Sequence, residues 1–262
     1  MKLVKAHAFG NDFLLVREQD VPPGADRAAL ARDLCERHRG IGADGVIFFS
    51  DVPDGARMHL FNADGSFSEV SGNGLRCLAA WVAASRGARP GDIVNVETDA
   101  GRKALELLAQ DGRRLTFRAA MGQPEQVQRR SIDVAGAAID AITLRVGNPQ
   151  CVVLGEVTEE RLHAVAAKLA VHPIFPEGSN VELARVEAPG RVRILIWERG
   201  VGPTEASGTG ACAAAVAAIA YGGASRDVQV VAPGGAQRVE WTDAGLFLTG
   251  WAEVLFEGRW AL

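Results

Sequence analysis

Two Ser-Gly-x-Gly segments are the parts of this sequence most able to do chemistry. They read SGNG at residues 71–74 and SGTG at residues 207–210, and each stands just before a long apolar stretch. The first turn of a helix offers backbone N–H groups and the positive end of the helix dipole, so it binds carboxylate or phosphate. Glycine lets such a ligand approach the backbone. The two segments predict a pair of anion sites, each beside a serine hydroxyl.

An internal repeat contains both segments. Ser71 and Ser207 are 136 residues apart, and the same offset relates Phe61–Gly65 to Trp197–Gly200. The loop at Gly10 matches the loop at residue 147 with an offset of 137. We expect a duplication that gives two similar domains related by a pseudo-twofold axis, residues 1–119 plus 252–262 and residues 120–251. A lone serine of this kind is usually a simple N-cap, but two matched copies favour a ligand site between the domains.

The composition excludes several classes of protein. The 262 residues carry a formal net charge of −4 without a basic patch, which argues against a nucleic-acid partner. The longest apolar run, Ala211–Tyr221, is far shorter than the ~18 residues that span a bilayer, and the N-terminus lacks a signal-peptide pattern. We therefore expect a soluble cytoplasmic protein without membrane contact.

The cysteines and histidines do not form a metal-binding pattern. Cys35, Cys77, Cys151 and Cys212 contain no CxxC pair, and the five histidines form no HxH or HxxxH pair. The sequence predicts no metal site and four reduced, mostly buried thiols.

The elements that must position the serines belong to a mixed α/β (α+β) fold. The sequence predicts buried helices over Leu75–Ser85 and Ala211–Tyr221, each inside a mostly antiparallel sheet. Two more helices are predicted over Asp26–Arg37 and Thr158–Leu169, with Thr158 as an N-cap. The predicted strands share short runs of alternating or apolar residues: Leu3–Ala8, Phe13–Val16, Gly45–Ser50, Arg57–Phe61, Asp92–Glu97, Lys103–Leu108, Arg114–Ala119, Ile142–Val146, Cys151–Leu154, Val192–Trp197, Val228–Val231, Leu246–Thr249 and about Ala252–Phe256.

Several longer motifs resemble diaminopimelate epimerase over nearly the whole chain, in that family's order and spacing. They are GNDF (10–13), GIGADG (40–45), FNADGS (61–66), SGNGLRC (71–77), VGNP (146–149), NVE (180–182) and ERGVGPTEASGTGACAAA (198–215). The resemblance implies two α/β domains, each a sheet around a central helix. It also implies an isomerase that converts LL- to meso-diaminopimelate for lysine and peptidoglycan biosynthesis, without pyridoxal phosphate, another cofactor or a metal. A homodimer is implied by the resemblance alone.

The resemblance also implies a set of binding residues. The α-carboxylate would lie on Gly72 and Asn73 from one domain and on Gly208 and Thr209 from the other. The substrate's amine groups and distal carboxylate would be held by residues at six matching motif positions, namely Asn11, Asn62, Asn148, Asn180, Glu198 and Arg199. Taken singly, these asparagines could be turn formers and Glu198–Arg199 a surface pair.

The chain departs from the family pattern at the catalytic positions. The family has cysteine where this chain has Ser71 and Ser207, and histidine where it has Gln150. A serine hydroxyl is far less acidic than a thiol and needs an adjacent base, and no partner is evident from the sequence. Cys77 and Cys212 lie inside the predicted helices and belong to the core.

Three interpretations stay open at this point. The two thiols were replaced by engineering, although Gln150 speaks against that origin. Alternatively, the chain is a natural serine branch with the same or a changed reaction, such as another amino-acid isomerisation or a dehydration. In the third interpretation it binds an amino acid without catalysis. Ser71 and Ser207 are the predicted catalytic residues.

Overall fold

The computed structural model describes residues 1–261, which divide into two compact units. Unit 1 consists of residues 1–119 together with the segment that starts at Gly250, and unit 2 is Ala120–Thr249. The chain passes from one unit to the other within two strands, Arg114–Gly122 and Gly245–Arg259.

Unit 1 contains two α-helices, α1 (Arg27–Cys35) and α2 (Gly72–Arg86), and a short 3-10 helix at Glu18–Asp20 within residues 1–119. Its strands, numbered along the chain, are β1 (Lys2–Ala8), β2 (Asn11–Arg17), β3 (Gly45–Val52), β4 (Gly55–Asn62), β5 (Phe67–Ser68), β6 (Ile93–Thr98), β7 (Gly101–Asp111) and β8 (Arg114–Gly122).

The strands of unit 1 pair in a closed circuit. The order is β1, β2, β3, β4, β6, β7, β8 and β17 (Gly245–Arg259), which pairs with β1 again. The pairs β2–β3 and β4–β6 are parallel, whereas β1–β2, β3–β4, β6–β7, β7–β8 and β1–β17 are antiparallel. Because α2 contacts β1, β2, β4, β6 and β7, this barrel-like sheet surrounds the helix. Gly87, with a φ of 65°, ends α2 in the left-handed conformation that favours glycine.

Unit 2 repeats the order of parallel and antiparallel pairs along its strands. Its strands are β9 (Glu125–Val134), β10 (Ala137–Val146), β11 (Asn148–Leu154), β12 (Asn180–Ala188), β13 (Arg191–Glu198), β14 (Gly202–Thr204), β15 (Asp227–Ala232), β16 (Gly235–Thr242) and the first part of β17. Its outer helix runs through α3 (Glu159–Arg161), a π-helical turn at Leu162–Ala166 and α4 (Ala167–Ala170). Its central helix is α5 (Gly208–Tyr221).

The central helix of unit 2 is buried on every side over most of its length. Every residue from Gly208 to Ala218 is buried, and α5 contacts β10, β11, β12, β13, β15 and β16. Alanine predominates because its small side chain lets the strands come close on all sides of the helix. The parallel pair β11–β12, with Gln150 opposite Asn180, fixes which residues of these strands face the start of α5.

The structure confirms the sequence prediction of two sheets around central helices. Both central helices begin three residues before the predicted start, at Gly72 and Gly208. Thr158 is the N-cap of α3, as expected. The four cysteines are free and buried. Within residues 1–261, no helix combines the length and apolar character that a membrane crossing requires.

Candidate active site

Ser71 is the N-cap of α2. Its backbone is extended, with φ −130° and ψ 126°, and its Oγ accepts a hydrogen bond from the N–H of Gly74 at 3.1 Å. The helix begins with the bond from the Leu75 N–H to the Ser71 carbonyl oxygen, at 2.8 Å. The cap thus uses the third N–H of the helix. An α-helix has no acceptors of its own for the first two N–H groups, those of Gly72 and Asn73, so they can hold an anion.

A chain of polar side chains stands beside this helix start. Asn73 is buried and donates to the Oδ1 of Asn11 at 3.0 Å, while its own Oδ1 accepts from Arg76. Asn11 donates to the carboxylate of Asp44 at 2.7 Å. Because an amide nitrogen has two hydrogens and an amide oxygen two lone pairs, Asn11 keeps hydrogen-bonding capacity for a ligand.

Asn62 lies at the end of β4 in a tight turn. Its side chain donates to the Oγ of Ser66 at 2.9 Å, and its backbone N–H donates to the Ser66 carbonyl oxygen at 2.8 Å. The next residue, Ala63, donates to the carbonyl oxygen of Asp44 at 2.9 Å. Asp44 therefore links the Asn62 turn to Asn11 within unit 1. The side chain of Asn62 also stabilises its own turn.

Ser207 caps α5 as Ser71 caps α2. Its φ and ψ are −137° and 132°, and its Oγ accepts from the N–H of Gly210 at 3.2 Å. Ser207 is only 4% exposed, and its carbonyl oxygen also accepts from Gln237 at 3.4 Å. The N–H groups of Gly208 and Thr209 correspond to those of Gly72 and Asn73. The N-cap role is thus present at both serines, and it leaves each hydroxyl proton available for donation.

The predicted residues of β12 and β13 lie next to one another in unit 2. Asn180 is 8% exposed, and its Oδ1 accepts from the backbone N–H of Arg199 at 2.9 Å. The Arg199 guanidinium is exposed and donates to the carbonyl oxygen of Glu177 at 2.5 Å. Glu198, half-buried, is the last residue of β13. This cluster presents a cation and a carboxylate from adjacent positions, as recognition of a zwitterionic amino acid requires.

Asn148 and Gln150 occupy the start of β11. The Nε2 of Gln150 donates to the Oδ1 of Asn148 at 2.6 Å. Gln150 is completely buried, and its Oε1 has no hydrogen-bond partner among the described residues. Gln150 also lies opposite Asn180 in the parallel pair, so the departure from the family's histidine falls inside the same polar cluster.

Glu182 is the residue of this cluster that sequence reasoning did not assign. It belongs to the NVE motif, yet it is fully buried in β12, and neither carboxylate oxygen has a hydrogen-bond partner among residues 1–261. Its Oε1 lies 2.6 Å from the position that a Cβ would occupy on Gly210, and the Oγ of Ser207 lies 3.2 Å from that position. Burial, and then the negative charge of Glu198, raise the pKa of Glu182 well above its usual range.

The cysteines lie away from these helix starts. Cys77 and Cys212 are completely buried within α2 and α5. Burial raises the pKa of the Cys77 thiol, and it raises the pKa of Cys35 to about 12. Such thiols stay protonated at neutral pH and are poor nucleophiles or bases. The groups placed at the two helix starts are therefore the serine hydroxyls.

Comparison with known proteins identifies the family. The family model described as diaminopimelate epimerase matches residues 3–127 and 142–255. A diaminopimelate epimerase of Desulforudis audaxviator is 42% identical over 99% of both chains, and one of Heliobacterium modesticaldum is 37% identical over 99% of both.

Solved structures agree on the fold. A probable proline racemase from Agrobacterium radiobacter matches 100% of this chain and 93% of its own, with a TM-score of 0.77 and 19% identity. A predicted epimerase from Pseudomonas aeruginosa matches with a TM-score of 0.76 and 17% identity, over 100% of this chain and 99% of its own. At these identities the structures support the fold, whereas the full-length relatives decide the family. The chain belongs to the diaminopimelate epimerase family.

Proposed function

We propose that this protein is a cofactor-independent isomerase that converts LL-diaminopimelate to meso-diaminopimelate, in the pathway to lysine and peptidoglycan. The observation that carries the proposal is the full-length match to diaminopimelate epimerases at up to 42% identity. The serine-capped starts of α2 and α5 support it, because both offer the anion-binding geometry that an amino-acid carboxylate needs. We further propose that the protein acts in the cytoplasm, as a homodimer.

The reaction inverts one carbon of the substrate. One group removes the α-proton, and a second group delivers a proton to the opposite side of the resulting carbanion. The proposal assigns these roles to Ser71 and Ser207. Each Oγ already accepts a backbone N–H at a helix start, and this arrangement favours negative charge on the oxygen as its proton moves.

The binding roles follow the positions of the polar residues. Gly72 and Asn73, and Gly208 and Thr209, would hold the α-carboxylate through the first two N–H groups of each helix. The amine groups and the distal carboxylate would be held by the asparagines and by the charged pair at the end of β13, namely Asn11, Asn62, Asn148, Asn180, Glu198 and Arg199. Arg199 suits a carboxylate because its planar guanidinium can make two parallel hydrogen bonds.

Chiral chromatography tests the proposal. The protein is incubated with LL-diaminopimelate in the presence of EDTA and without pyridoxal phosphate, and the stereoisomers are separated over time. Appearance of the meso isomer, abolished in the Ser71→Ala and Ser207→Ala variants, is the expected result. Calorimetric binding of LL-diaminopimelate without any meso product would overturn the isomerase assignment and identify an amino-acid-binding protein. An unsaturated deaminated product would identify a dehydration instead.

A further inference from the structure

The carboxyl group of Glu182 points at the capped end of α5. Glu182 lies on the same face of β12 as Ala184, which packs in the apolar cluster around α5. Its Oε1 and the Oγ of Ser207 lie 2.6 and 3.2 Å from one point, the Cβ position of Gly210. The two oxygens are not hydrogen-bonded, but because both lie within 3.2 Å of this point, one water between them could bridge them.

Among the described residues of unit 1, the nearest groups at the equivalent place do not include a carboxyl group. Gly74 holds the same third helical position in α2 that Gly210 holds in α5. Besides Ser71, two apolar atoms lie near the position that a Cβ would occupy on Gly74. They are the Cδ1 of Ile47 at 3.0 Å and the Cε1 of Phe13 at 3.6 Å. The two helix starts share their capping geometry and differ in the side chain beside the glycine, which is apolar in unit 1 and a carboxyl in unit 2.

An apolar side chain would be the more stable choice at this point of unit 2. A buried carboxyl group without a hydrogen-bond partner costs stability, and the counterpart at Ile47 shows that this fold accepts an aliphatic group there. The cost is understandable if Glu182 acts on a neighbour. Ser207 is that neighbour, and a serine hydroxyl needs a proton partner to act as a base.

We infer that Glu182 is the proton partner of Ser207, an inference that rests on the proposed function. When the Ser207 Oγ takes the α-proton, the C–H bond breaks, its electron pair stays on carbon, and the hydroxyl's own proton passes to the Glu182 carboxylate. In the opposite direction the Glu182 carboxyl group gives its proton to Ser207 as Ser207 protonates the carbanion. The proton travels through one water, or directly after either side chain rotates.

The surroundings of Glu182 decide its resting state. Burial and the Glu198 carboxylate on β13 favour the protonated form, whereas the residue's own backbone N–H dipole and the positive end of α5 favour the ionised form. On β11 the titratable group near Glu182 is the Cys151 thiol, and burial raises the pKa of that thiol. The net effect of these surroundings is to raise the pKa of Glu182.

Glu182 acts through Ser207, so it is a positioning residue, and its test needs more than loss of activity. The first experiment measures exchange of the α-hydrogen of diaminopimelate across pH for the wild type and Glu182→Gln. It repeats the pair in Ser207→Cys and Ser71→Cys backgrounds. Glutamine keeps the size of the side chain and removes the transferable proton.

The expected result is a loss of about a hundredfold or more in the wild-type and Ser71→Cys backgrounds. In the Ser207→Cys background the loss falls below about tenfold, because a thiol ionises near pH 8.5 without help. An equal loss in all three backgrounds would show that Glu182 is merely structural and would overturn the inference. Glu187→Gln, a change at an exposed ion-paired carboxylate on β12, is the matched control.

The second experiment does not depend on turnover. It follows the titration of the Glu182 carboxyl carbon by 13C NMR in the wild type, Ser207→Ala and Ser71→Ala. Loss of the Ser207 hydroxyl should raise the pKa of Glu182 by about one unit, because the inferred water bridge that donates to the carboxylate loses its anchor, whereas Ser71→Ala should leave it unchanged. Identical titrations in all three proteins would refute the coupling. If the wild type exchanges no α-hydrogen, the proposed function fails alone, and this titration still decides the inference.

Discussion

The buried carboxyl group of Glu182 makes a quantitative prediction about stability. Its pKa is raised in the folded protein, so the folded state keeps a proton that the unfolded chain releases above a pH of about 4.3. The stabilisation that this retained proton gives to the folded protein is fully present below the pKa of Glu182 in the unfolded chain. It is lost as pH rises towards the pKa of Glu182 in the folded protein. In that window the unfolding equilibrium constant grows about tenfold, or roughly 1.4 kcal/mol, per pH unit.

The perturbation that isolates this effect is Glu182→Gln, whose amide does not titrate. Urea unfolding, followed by circular dichroism and tryptophan fluorescence, gives the free energy of unfolding of both proteins between pH 5 and 8. Subtracting the two curves cancels the other titrating groups. As pH rises, the free energy of unfolding of the variant should increase relative to that of the wild type by roughly 1.4 kcal/mol per pH unit. This increase should stop at the pKa of Glu182 in the folded protein.

A flat difference would refute the reasoning, because it would mean that Glu182 is ionised in the folded protein near pH 5. Glu160→Gln is the control, since Glu160 is exposed near the start of the outer helix of unit 2. That substitution should leave the pH dependence of stability as it is in the wild type.

Three further outcomes follow from the geometry. Ser71→Ala and Ser207→Ala should each cost about 1 kcal/mol in urea unfolding because an N-cap is lost, and the threonine variants should retain most of it; a cost-free alanine would contradict the capping assignment. The buried thiols, with the pKa of Cys35 raised to about 12, should resist a disulfide reagent in the folded protein and react four to a chain in denaturant; rapid native labelling would contradict their burial. Arg199→Lys should weaken binding of diaminopimelate by about tenfold or more in calorimetry, because lysine lacks the planar fork; unchanged affinity would remove Arg199 from the site.

The central helices and their surrounding strands could be predicted from sequence because their signals are local. Residues 75–85 and 211–221 are apolar almost all round, which is typical of a buried helix. The starts at Gly72 and Gly208 could not be placed by periodicity, since the first turn is glycine-rich and has low helix propensity. The serine caps and the surrounding strands hold those turns in helical form.

The strands that the sequence patterns missed have weak or misleading patterns. In β9 (Glu125–Val134), only Ile132 and Val134 are buried, so the segment reads as polar and unstructured. In β12 (Asn180–Ala188), a glutamate stands where alternation would place an apolar core residue. A carboxyl group at such a position lowers the strand signal, and such departures from the local pattern are typical of functional sites.

The candidate site also contains residues that the sequence predicts and one residue, Glu182, that it does not. The motifs point to Ser71 and Ser207 directly, because glycine-rich turns before apolar helices have a local signature. Glu182 could not be assigned from the sequence, although it lies in a quoted motif. Its closeness to Ser207 depends on the parallel register of β11 with β12 and on the packing of α5 against their shared face. Both are long-range properties of the fold.

Exchange of the α-hydrogen in D2O tests the central claim most directly. The protein is incubated with LL-diaminopimelate in D2O without cofactor, and proton NMR follows the α-position. We expect deuterium to enter the α-carbon as the meso isomer forms, with both processes lost in Ser71→Ala and in Ser207→Ala. Saturable binding of the amino acid with full retention of the α-hydrogen would contradict the claim that these two hydroxyls move its proton.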